Sequence, residues 1–136
     1  MLRHARATDY AACTAIFHTI FDITEDPRWV LAWKTRSPTV SFVVEEYGSV
    51  TGFAIVSKAG VLSYLCVASA RQGQGLGSDL VRTVTRSARA TLRRRLRLTT
   101  ANVQGLREWY ERLGFRVVRT RTGGTCFDME VVSTSV

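Results

Sequence analysis

Residues 61–80, VLSYLCVASARQGQGLGSDL, join a hydrophobic, β-prone run to a glycine-rich loop and then to a helical pattern. The glycines at positions 73, 75 and 77 let a ligand approach the main chain closely, because they carry no side chain. The first turn of a helix has N–H groups without intrahelical acceptors, and the helix dipole favours a negative charge beside them. Strand, glycine loop and helix start, in this order, therefore predict a phosphate site.

Three kinds of phosphate loop can be compared with this stretch. The nucleoside-triphosphate loop requires Gly-Lys-Ser/Thr at its end, and no lysine follows position 58. The dinucleotide loop requires a glycine or alanine where Ser78 stands, and an acidic residue about 20 positions later, where residues 93–97 are mostly arginine. Gln72, Gly75 and Gly77 fit the third pattern, Gln/Arg-x-x-Gly-x-Gly/Ala. A tight strand-to-helix turn with no ligand is the alternative.

Two stretches of the chain carry a family resemblance. The first is Leu65-Cys-Val67 followed by RQGQGLG at residues 71–77, which resembles the acetyl-CoA pyrophosphate loop of the GNAT superfamily of N-acetyltransferases. The second, WYERLGF at residues 109–115, is similar to the Tyr-x-x-x-Gly-Phe block of that family. The resemblance covers nearly the whole chain. It implies an acetyl-CoA-dependent N-acetyltransferase acting on a primary amine of a small molecule, a peptide or a protein.

Hydrophobic periodicity and turn residues divide the chain into seven strands and four helices. The predicted strands are residues 2–6, 39–46, 50–57, 61–67, 96–101, 115–121 and 125–132, and the predicted helices are 10–21, 27–35, 75–92 and 106–113. The order βααβββαβαββ is also that of GNAT proteins, so an α+β fold with three α/β layers is expected. The resemblance implies a central mixed, mostly antiparallel sheet, flanked by helices, whose parallel strands four and five splay apart.

The resemblance also assigns cofactor contacts. The pantetheine arm of CoA would run along Leu65, Cys66 and Val67 in the manner of an added strand. The pyrophosphate would lie on main-chain N–H groups of the glycine loop, namely Gln72, Gly73, Gln74, Gly75, Leu76, Gly77 and Ser78. The family commonly has an asparagine seven residues before its tyrosine, where this chain has Val103, and Asn102 is one residue early. Asn102 either still reaches the pantetheine or caps the following helix.

Tyr110 is the candidate catalytic residue, because it stands in the Tyr-Glu-Arg-Leu-Gly-Phe block. Transfer of an acetyl group from a thioester to an amine expels a thiolate. A phenol within hydrogen-bond reach of that sulfur can protonate it as it leaves, or hold it by a hydrogen bond. The alternative is a structural role, in which a buried aromatic ring bonds a backbone carbonyl through its hydroxyl.

The group that deprotonates the amine is harder to assign. Val61 and Ser63 share the face of Leu65 on the fourth strand, at the acceptor side, and neither titrates near neutrality. The remaining candidates are the acidic residues between the first two helices and, in the second strand, Glu45 or Glu46. An acidic cluster lies between the first two helices, where the resembled family shapes the acceptor side of its cleft, and comprises Asp22, Glu25 and Asp26. This acidic rim beside an aromatic wall at Trp29 and Trp33 predicts a cationic primary amine as acceptor. The alternative is that the cluster caps the second helix.

The chain carries a net charge of +8, and 17 of its 19 basic residues are arginines. A basic stripe follows the third helix and the residues after it, at positions 82, 86, 89, 93–95 and 97. Such a field attracts anions, so a nucleic-acid-binding module competes with the enzyme, as does an acetyltransferase for an amine carried on RNA. No aromatic residue lies among these arginines to stack on bases. A CoA sensor without activity is a further alternative, because no general base is evident.

Length and composition set the remaining expectations. A chain of 136 residues predicts one domain, spanning 1–136, with one core. No apolar run reaches the roughly 18–20 residues of a membrane span, and the N-terminus lacks the apolar core of a signal peptide. Three widely spaced cysteines predict reduced thiols in a cytoplasmic protein. No metal is expected, and acetyl-CoA and an amine are the expected partners of a monomer or homodimer.

Overall fold

The computed structural model describes residues 1–132. Within them, seven strands and four α-helices follow one another in the predicted order, βααβββαβαββ. The strands are β1 (Leu2–His4), β2 (Phe42–Glu46), β3 (Ser49–Val56), β4 (Leu62–Val67), β5 (Arg97–Ala101), β6 (Phe115–Arg121) and β7 (Cys126–Val131). The helices are α1 (Tyr10–Phe21), α2 (Pro27–Lys34), α3 (Leu76–Ser87) and α4 (Leu106–Arg112). Residues 133–136, the last four of the predicted domain, lie outside the described part of the chain.

The strands form two antiparallel sheets, β1-β2-β3-β4 and β5-β7-β6. A parallel bridge between Val61 and Arg97 joins them, and the Arg97 N–H donates to the Gly60 carbonyl over 2.9 Å. No other pairing connects β4 with β5 among residues 1–132, so the two strands separate beyond this bridge. The predicted splay of parallel strands four and five is therefore confirmed, and the gap opens toward the end of β4, where the glycine loop begins.

The middle strands β2 and β3 are buried on both faces, which explains their unbroken hydrophobic sequences. Val44, Ala54 and Val56 belong to a core closed by α3 and α4. Phe53 and Ile55 point to the opposite core, because side chains alternate along a strand. The helices α1 and α2 close this second core with Cys13, Phe17, Trp29 and Trp33.

The end of α3 differs from the sequence prediction. The sequence predicts one helix over residues 75–92, whereas the structure has an α-helix to Ser87 and a π-helical turn at Ala88–Leu92. The inward residues of this segment recur every four positions, and in an α-helix such a row drifts ~40° around the axis per step. The wider π turn rotates less per residue, which keeps Leu92 against the same core as Val84. Neither α3 nor any other helix of residues 1–132 has the length and apolarity of a membrane span.

The β5-β7-β6 sheet is covered on one face. Leu98, Phe127 and Met129 turn into the core closed by α3 and α4. The alternate residues turn the other way; they are exposed on the two flanking strands and half-buried on the central strand. This surface, which we call the outer sheet face, comprises Arg97, Thr99 and Ala101 of β5, Arg116, Arg119 and Arg121 of β6, and Cys126, Asp128 and Glu130 of β7.

Candidate active site

A cavity of about 960 Å³ opens where β4 and β5 separate. One wall is β4 and the glycine loop, the other is β5, and α4 closes the side. The cavity therefore brings together the strand, the loop and the aromatic block that the sequence singles out. Its lining includes the predicted residues Ser63, Leu65, Val67, Gln72, Gly73, Gly75, Leu76, Gly77, Ser78 and Tyr110.

The glycine loop has the shape of a phosphate cradle. Gly73 and Gly75 have φ angles of +79° and +83°, in the left-handed region that favours glycine, and Gly75 is the N-cap of α3. A Cβ at either position would meet no atom within 4 Å, so open space lies above the main chain. No acceptor among the described residues pairs with the N–H groups of residues 73–78. Donors that face open space at a helix start fit the phosphates of CoA.

Two side chains of the loop are engaged within the protein. The amide of Gln72 donates to the Val67 carbonyl over 3.0 Å, so this residue shapes the turn and offers a ligand its main chain. Arg71 forms a two-point ion pair with Glu46 of β2, at 2.9 and 2.7 Å. The hydrogen bonds from Arg71 hold the pKa of the Glu46 carboxyl below its usual value. Gln74 is exposed and lies outside the cavity lining.

The main chain of Leu65 faces the gap. The Ala68 N–H donates to the Thr51 carbonyl over 2.8 Å, which sets the phase of the antiparallel ladder between β3 and β4. In such a ladder every second residue pair exchanges hydrogen bonds, so Cys66 with Phe53 and Tyr64 with Ile55 are hydrogen-bonded pairs. Leu65 lies between them, opposite Ala54, in a pair that is not hydrogen-bonded. Its N–H and carbonyl therefore point away from β3, toward the cavity. An amide-bearing ligand can pair there as an added strand would.

Cys66 offers the cavity little. Its side chain is only 3% exposed, points into the core closed by α1 and α2, and does not line the cavity. Burial raises the pKa of the thiol to about 12, so the group is a neutral core residue rather than a nucleophile. The contact with CoA that the resemblance implies for Cys66 therefore has no basis in its side chain, and its main chain pairs with β3.

Tyr110 lies on α4 with its ring packed edge-on between Trp109 and Phe115, at centroid distances of 4.9 and 5.7 Å. The residue is buried, but it lines the cavity, and its hydroxyl forms no hydrogen bond with any described residue. The backbone bond that a purely structural tyrosine would make is therefore not observed. Burial raises the pKa of the phenol to about 12, which keeps it protonated at neutral pH.

The position of Asn102 fits neither of its two predicted roles, contact with the pantetheine arm or capping of the following helix. Its side-chain amide donates to the Gly124 carbonyl and its main-chain N–H to the Thr125 carbonyl, each over 2.8 Å. It lies outside the cavity lining, and the N-cap of α4 is Gly105. Asn102 thus ties the end of β5 to the turn between β6 and β7, and Val103 takes the place beside the cavity.

The acidic cluster does not form a rim on the cavity. Asp22 ends α1 with a left-handed φ of +51°, and both it and Glu25 are exposed and outside the lining. Asp26 caps α2, accepting the Arg28 N–H over 2.9 Å and its guanidinium over 3.2 Å. Burial opposes ionisation of Asp26, but the hydrogen bonds from Arg28 outweigh it and the pKa lies below its usual value. The alternative prediction, capping of the second helix, describes Asp26.

Trp29 is a core residue and not a cavity wall. It is 1% exposed, its ring stacks on Phe17 at 5.0 Å, and its indole N–H donates to the Thr14 hydroxyl over 3.0 Å. Its edge, with Glu25 and Asp26, borders a separate groove between α1 and α2. The aromatic residues that α1 and β4 contribute to the main cavity are instead Phe21 and Tyr64.

Sequence reasoning missed Tyr64 because it lies on the face of β4 opposite Leu65. β4 borders the gap, however, so residues of both faces reach the cavity, Ser63 and Tyr64 alike. The Tyr64 hydroxyl donates to the Asp26 carboxylate over 3.4 Å, and its ring lies edge-on to Phe21 at 6.4 Å. Among the described residues, Asp26 is thus linked to the main cavity through Tyr64.

The cavity lacks an evident base. Among the described residues that line it, the ionisable side chains are Tyr64, Arg71 and Tyr110, and none is a carboxylate or an imidazole. Burial also raises the pKa of Tyr64, so neither phenol accepts a proton at neutral pH. Within residues 1–132 no three His, Cys, Asp or Glu side chains gather as metal ligands would. The cavity can bind an anion, pair with an amide chain and donate a proton.

Comparison with known proteins identifies the family. A sequence profile of the acetyltransferase (GNAT) domain matches residues 37–117, more than half of the chain. The matched part contains the glycine loop and Tyr110. The chain therefore belongs to the GNAT acetyltransferase family. No curated protein matches the sequence significantly.

Solved structures share the fold at low sequence identity. Ard1 from Thermoplasma volcanium has a TM-score of 0.79 at 18% identity, covering 98% of both chains. Arabidopsis thaliana Naa50 in complex with the bisubstrate analogue CoA-Ac-MVNAL has a TM-score of 0.79 at 13% identity, also covering 98% of both chains. A ribosomal-protein-alanine N-acetyltransferase from Brucella melitensis has a TM-score of 0.71 at 19% identity over 96% of both chains. These likenesses confirm the predicted GNAT-like α+β fold.

Proposed function

We propose that the protein transfers the acetyl group of acetyl-CoA to the α-amino group of a peptide or protein. The observation that carries this proposal is the meeting of three features on one cavity. These are the N–H groups of the glycine loop and the hydroxyl of Tyr110, neither of which has a partner among residues 1–132, and the main-chain groups of Leu65 that face the gap. A turn that only joins a strand to a helix would need none of them to face a cavity.

Each feature has a separate task. The glycine loop binds the pyrophosphate through its main chain, and Leu65 pairs with the amides of the pantetheine arm. Acetyl-CoA supplies an activated thioester, whose carbonyl carbon gains a bond to nitrogen as its bond to sulfur breaks. Tyr110 donates its phenolic proton to the departing sulfur and takes another from solvent. Because the pKa of Tyr110 is about 12, this donor is protonated throughout the neutral range.

The missing base favours an α-amino acceptor. An amine attacks only when it is neutral, and because no described residue places a carboxylate or imidazole on the cavity, its proton passes to water. An α-amino group has a pKa of about 7.7–8.0, whereas a lysine amine has a pKa of about 10.4. At pH 7 the neutral fraction of the α-amino group is therefore larger by a factor of a few hundred. A base-free cavity thus discriminates between the two acceptors without contacting either.

The fold neighbours support a peptide or protein acceptor. Naa50 was solved with an analogue that joins CoA to the peptide sequence MVNAL, and the Brucella melitensis protein is named for an alanine of a ribosomal protein. The acceptor end of the present cavity, lined by Phe21, Ser63 and Tyr64, offers mostly apolar surface to the first residue of such a peptide.

Two peptides test the proposal. They share one sequence containing a single lysine; one has a free N-terminus and the other is blocked there. We expect CoA release with the free peptide and, at pH 7, less than a hundredth of that rate with the blocked one. Equal rates would contradict the α-amino assignment. Binding of CoA, measured by calorimetry, without turnover of any amine would instead identify a sensor.

A further inference from the structure

The outer sheet face is a basic surface built in rows. Antiparallel register places Arg97, Glu130 and Arg116 in one row, because Glu130 lies opposite both arginines. Thr99, Asp128 and Arg119 form the second row, and Ala101, Cys126 and Arg121 form the third. The face thus presents four arginines against two carboxylates, with no aromatic residue among its nine positions. Its net charge is positive, and apart from Ala101, Cys126 and the exposed Val118 at the bulge of β6 its side chains are polar.

Asp128 orders two of these arginines without neutralising both. Its carboxylate accepts from the Nε of Arg119 over 3.1 Å, from the Nε of Arg121 over 2.6 Å and from the Thr99 hydroxyl over 2.7 Å. The hydrogen bonds from Arg121 and Thr99 hold the pKa of Asp128 below its usual value. The terminal nitrogens of both guanidiniums make no hydrogen bond within residues 1–132. Each arginine therefore presents an oriented pair of donors, the geometry that a carboxylate accepts.

This face is continuous with the cavity. Thr99 and Ala101 belong to the outer sheet face and also line the cavity, because β5 forms its wall. Neighbouring strands lie ~4.8 Å apart, so β6 lies ~10 Å beyond β5. An extended peptide advances ~3.3 Å per residue. A chain whose first residue lies at the cavity therefore reaches Arg119 and Arg121 with about its third to fifth residues.

We propose that the outer sheet face binds acidic side chains at about the third to fifth positions of the acceptor, so that the preferred substrates are peptides or proteins with acidic N-terminal segments. This inference rests on the proposed transfer to an α-amino group. Carboxylates at alternate positions of an extended chain would pair with Arg119 and Arg121, which lie two positions apart on β6, and Arg116 adds to the positive field of the face. A nucleic acid fits the face less well, because no aromatic side chain is available there to stack on bases.

Matched peptides test this specificity. One peptide has a free N-terminus and glutamate at positions three to five, and its twin has glutamine there. We expect KM for the acidic peptide to be roughly tenfold lower, since each exposed ion pair contributes a little and several act together. kcat should be the same for both. Added salt should raise KM for the acidic peptide only, because exposed ion pairs are screened.

Three variants locate the effect. R119Q/R121Q should abolish the preference, and R116Q, which breaks no ion pair within residues 1–132, should reduce it by a fewfold factor. R86Q/R89Q removes the same charge from exposed positions on α3 and the π-helical turn after it, which do not line the cavity, and it should retain the preference. Circular dichroism verifies that each variant is folded. Equal KM values for the two peptides in the wild type, or loss of the preference in R86Q/R89Q, would overturn the proposal.

Binding measured apart from catalysis separates this inference from the proposed function. Fluorescence anisotropy of the labelled acidic peptide, without acetyl-CoA, should show tighter binding than the glutamine twin and should weaken in R119Q/R121Q. If this difference in binding is seen but neither peptide is acetylated, the binding face is supported and the proposed N-terminal transfer is refuted. If both peptides are acetylated but bind equally, the transfer is supported and the binding face is refuted. Displacement of the peptide by a single-stranded RNA oligonucleotide at lower concentrations than by unlabelled acidic peptide would identify a nucleic-acid surface and overturn the proposal.

Discussion

The two ends of the cavity are built in different ways. The cofactor end comes from one continuous stretch, residues 61–80, and works mainly through main-chain groups whose directions follow from local geometry. The proposed acceptor end contains the side chains of Phe21 from α1 and Tyr64 from β4, and it continues onto the outer sheet face. Its parts are far apart in sequence and meet only through the fold. A site made from local backbone can be identified in a sequence, whereas one made from distant side chains requires the structure.

The largest expected effect compares one hydroxyl from each end. Tyr110→Phe keeps the buried ring and removes only the phenolic hydroxyl, so turnover should fall on the order of 10²–10⁴-fold with CoA binding nearly unchanged. Tyr64→Phe removes the hydroxyl that contacts Asp26 and should alter turnover by less than threefold. Steady-state kinetics with calorimetric measurement of CoA affinity checks both variants. Similar rates for the two would remove the catalytic role of Tyr110.

The next prediction tests whether the cofactor end works through its backbone. Acetyl-CoA at 100 times its dissociation constant should stabilise the wild type by about 2.7 kcal/mol. Gly75→Val should abolish that gain, because a side chain would fill the open space above the loop. The matched control is Gly48→Val in the turn between β2 and β3, where φ is +80° and a Cβ also meets nothing within 4 Å. Both variants carry the same backbone strain, so a gain that disappears equally in both would contradict the cradle.

The fold and the cofactor end could be predicted because their signals are local. Alternation, hairpin turns and caps established the order of all eleven elements, and the glycines at positive φ lie within the loop they shape. Where a segment departed from prediction, as at Ala88–Leu92, the cause was a four-residue repeat that an ideal α-helix cannot keep on one face. The single parallel bridge beside Val61 then produced the expected gap.

The acceptor end could not be predicted in the same way. Helical periodicity shows that Trp29 and Trp33 share one face of α2. It does not show whether this face packs on β3, as it does in the structure, or borders a cleft. Asn102 bonds Gly124, and that contact depends on the register between β5 and β7. The role of Asp26 was ambiguous because a carboxylate that precedes a helix can either cap that helix or bind a ligand. Its hydrogen bond from the Arg28 N–H identifies it as the cap of α2.

A pH series asks whether the acceptor end contains a base. Without one, kcat/KM should rise about tenfold per pH unit up to the pKa of the acceptor itself, about 7.7–8.0 for an α-amino group and about 10.4 for an alkylamine. Tyr110 must be protonated to donate, and this requirement fails only as pH rises through about 12, so no fall is expected between pH 6 and 10. A break at one pH for both acceptors would reveal an ionisable group of the enzyme.

The smallest effect is expected from three members of the basic stripe: Arg86 at the end of α3, Arg89 in the π-helical turn and Arg93 directly after it. All three are exposed, none lines the cavity, and none forms an ion pair within residues 1–132. They therefore lack the contacts that give the outer sheet face its order, where Asp128 orients Arg119 and Arg121. Replacing the three by glutamine should leave turnover of a free peptide within twofold of wild type.

The same triple glutamine variant also tests the competing hypothesis that the protein binds nucleic acid. If the stripe tracks a phosphate backbone, binding of a tRNA should weaken and its salt dependence should flatten, by about one unit of log–log slope for each arginine–phosphate pair that the substitutions remove. We expect neither change, because a row of exposed arginines without a fixed partner or a stacking side chain binds polyanions only through their general field. A reduced slope would assign the stripe a partner of its own, on a surface separate from the acceptor end. If the salt dependence of tRNA binding changes in R119Q/R121Q instead, the outer sheet face is the surface that binds the nucleic acid.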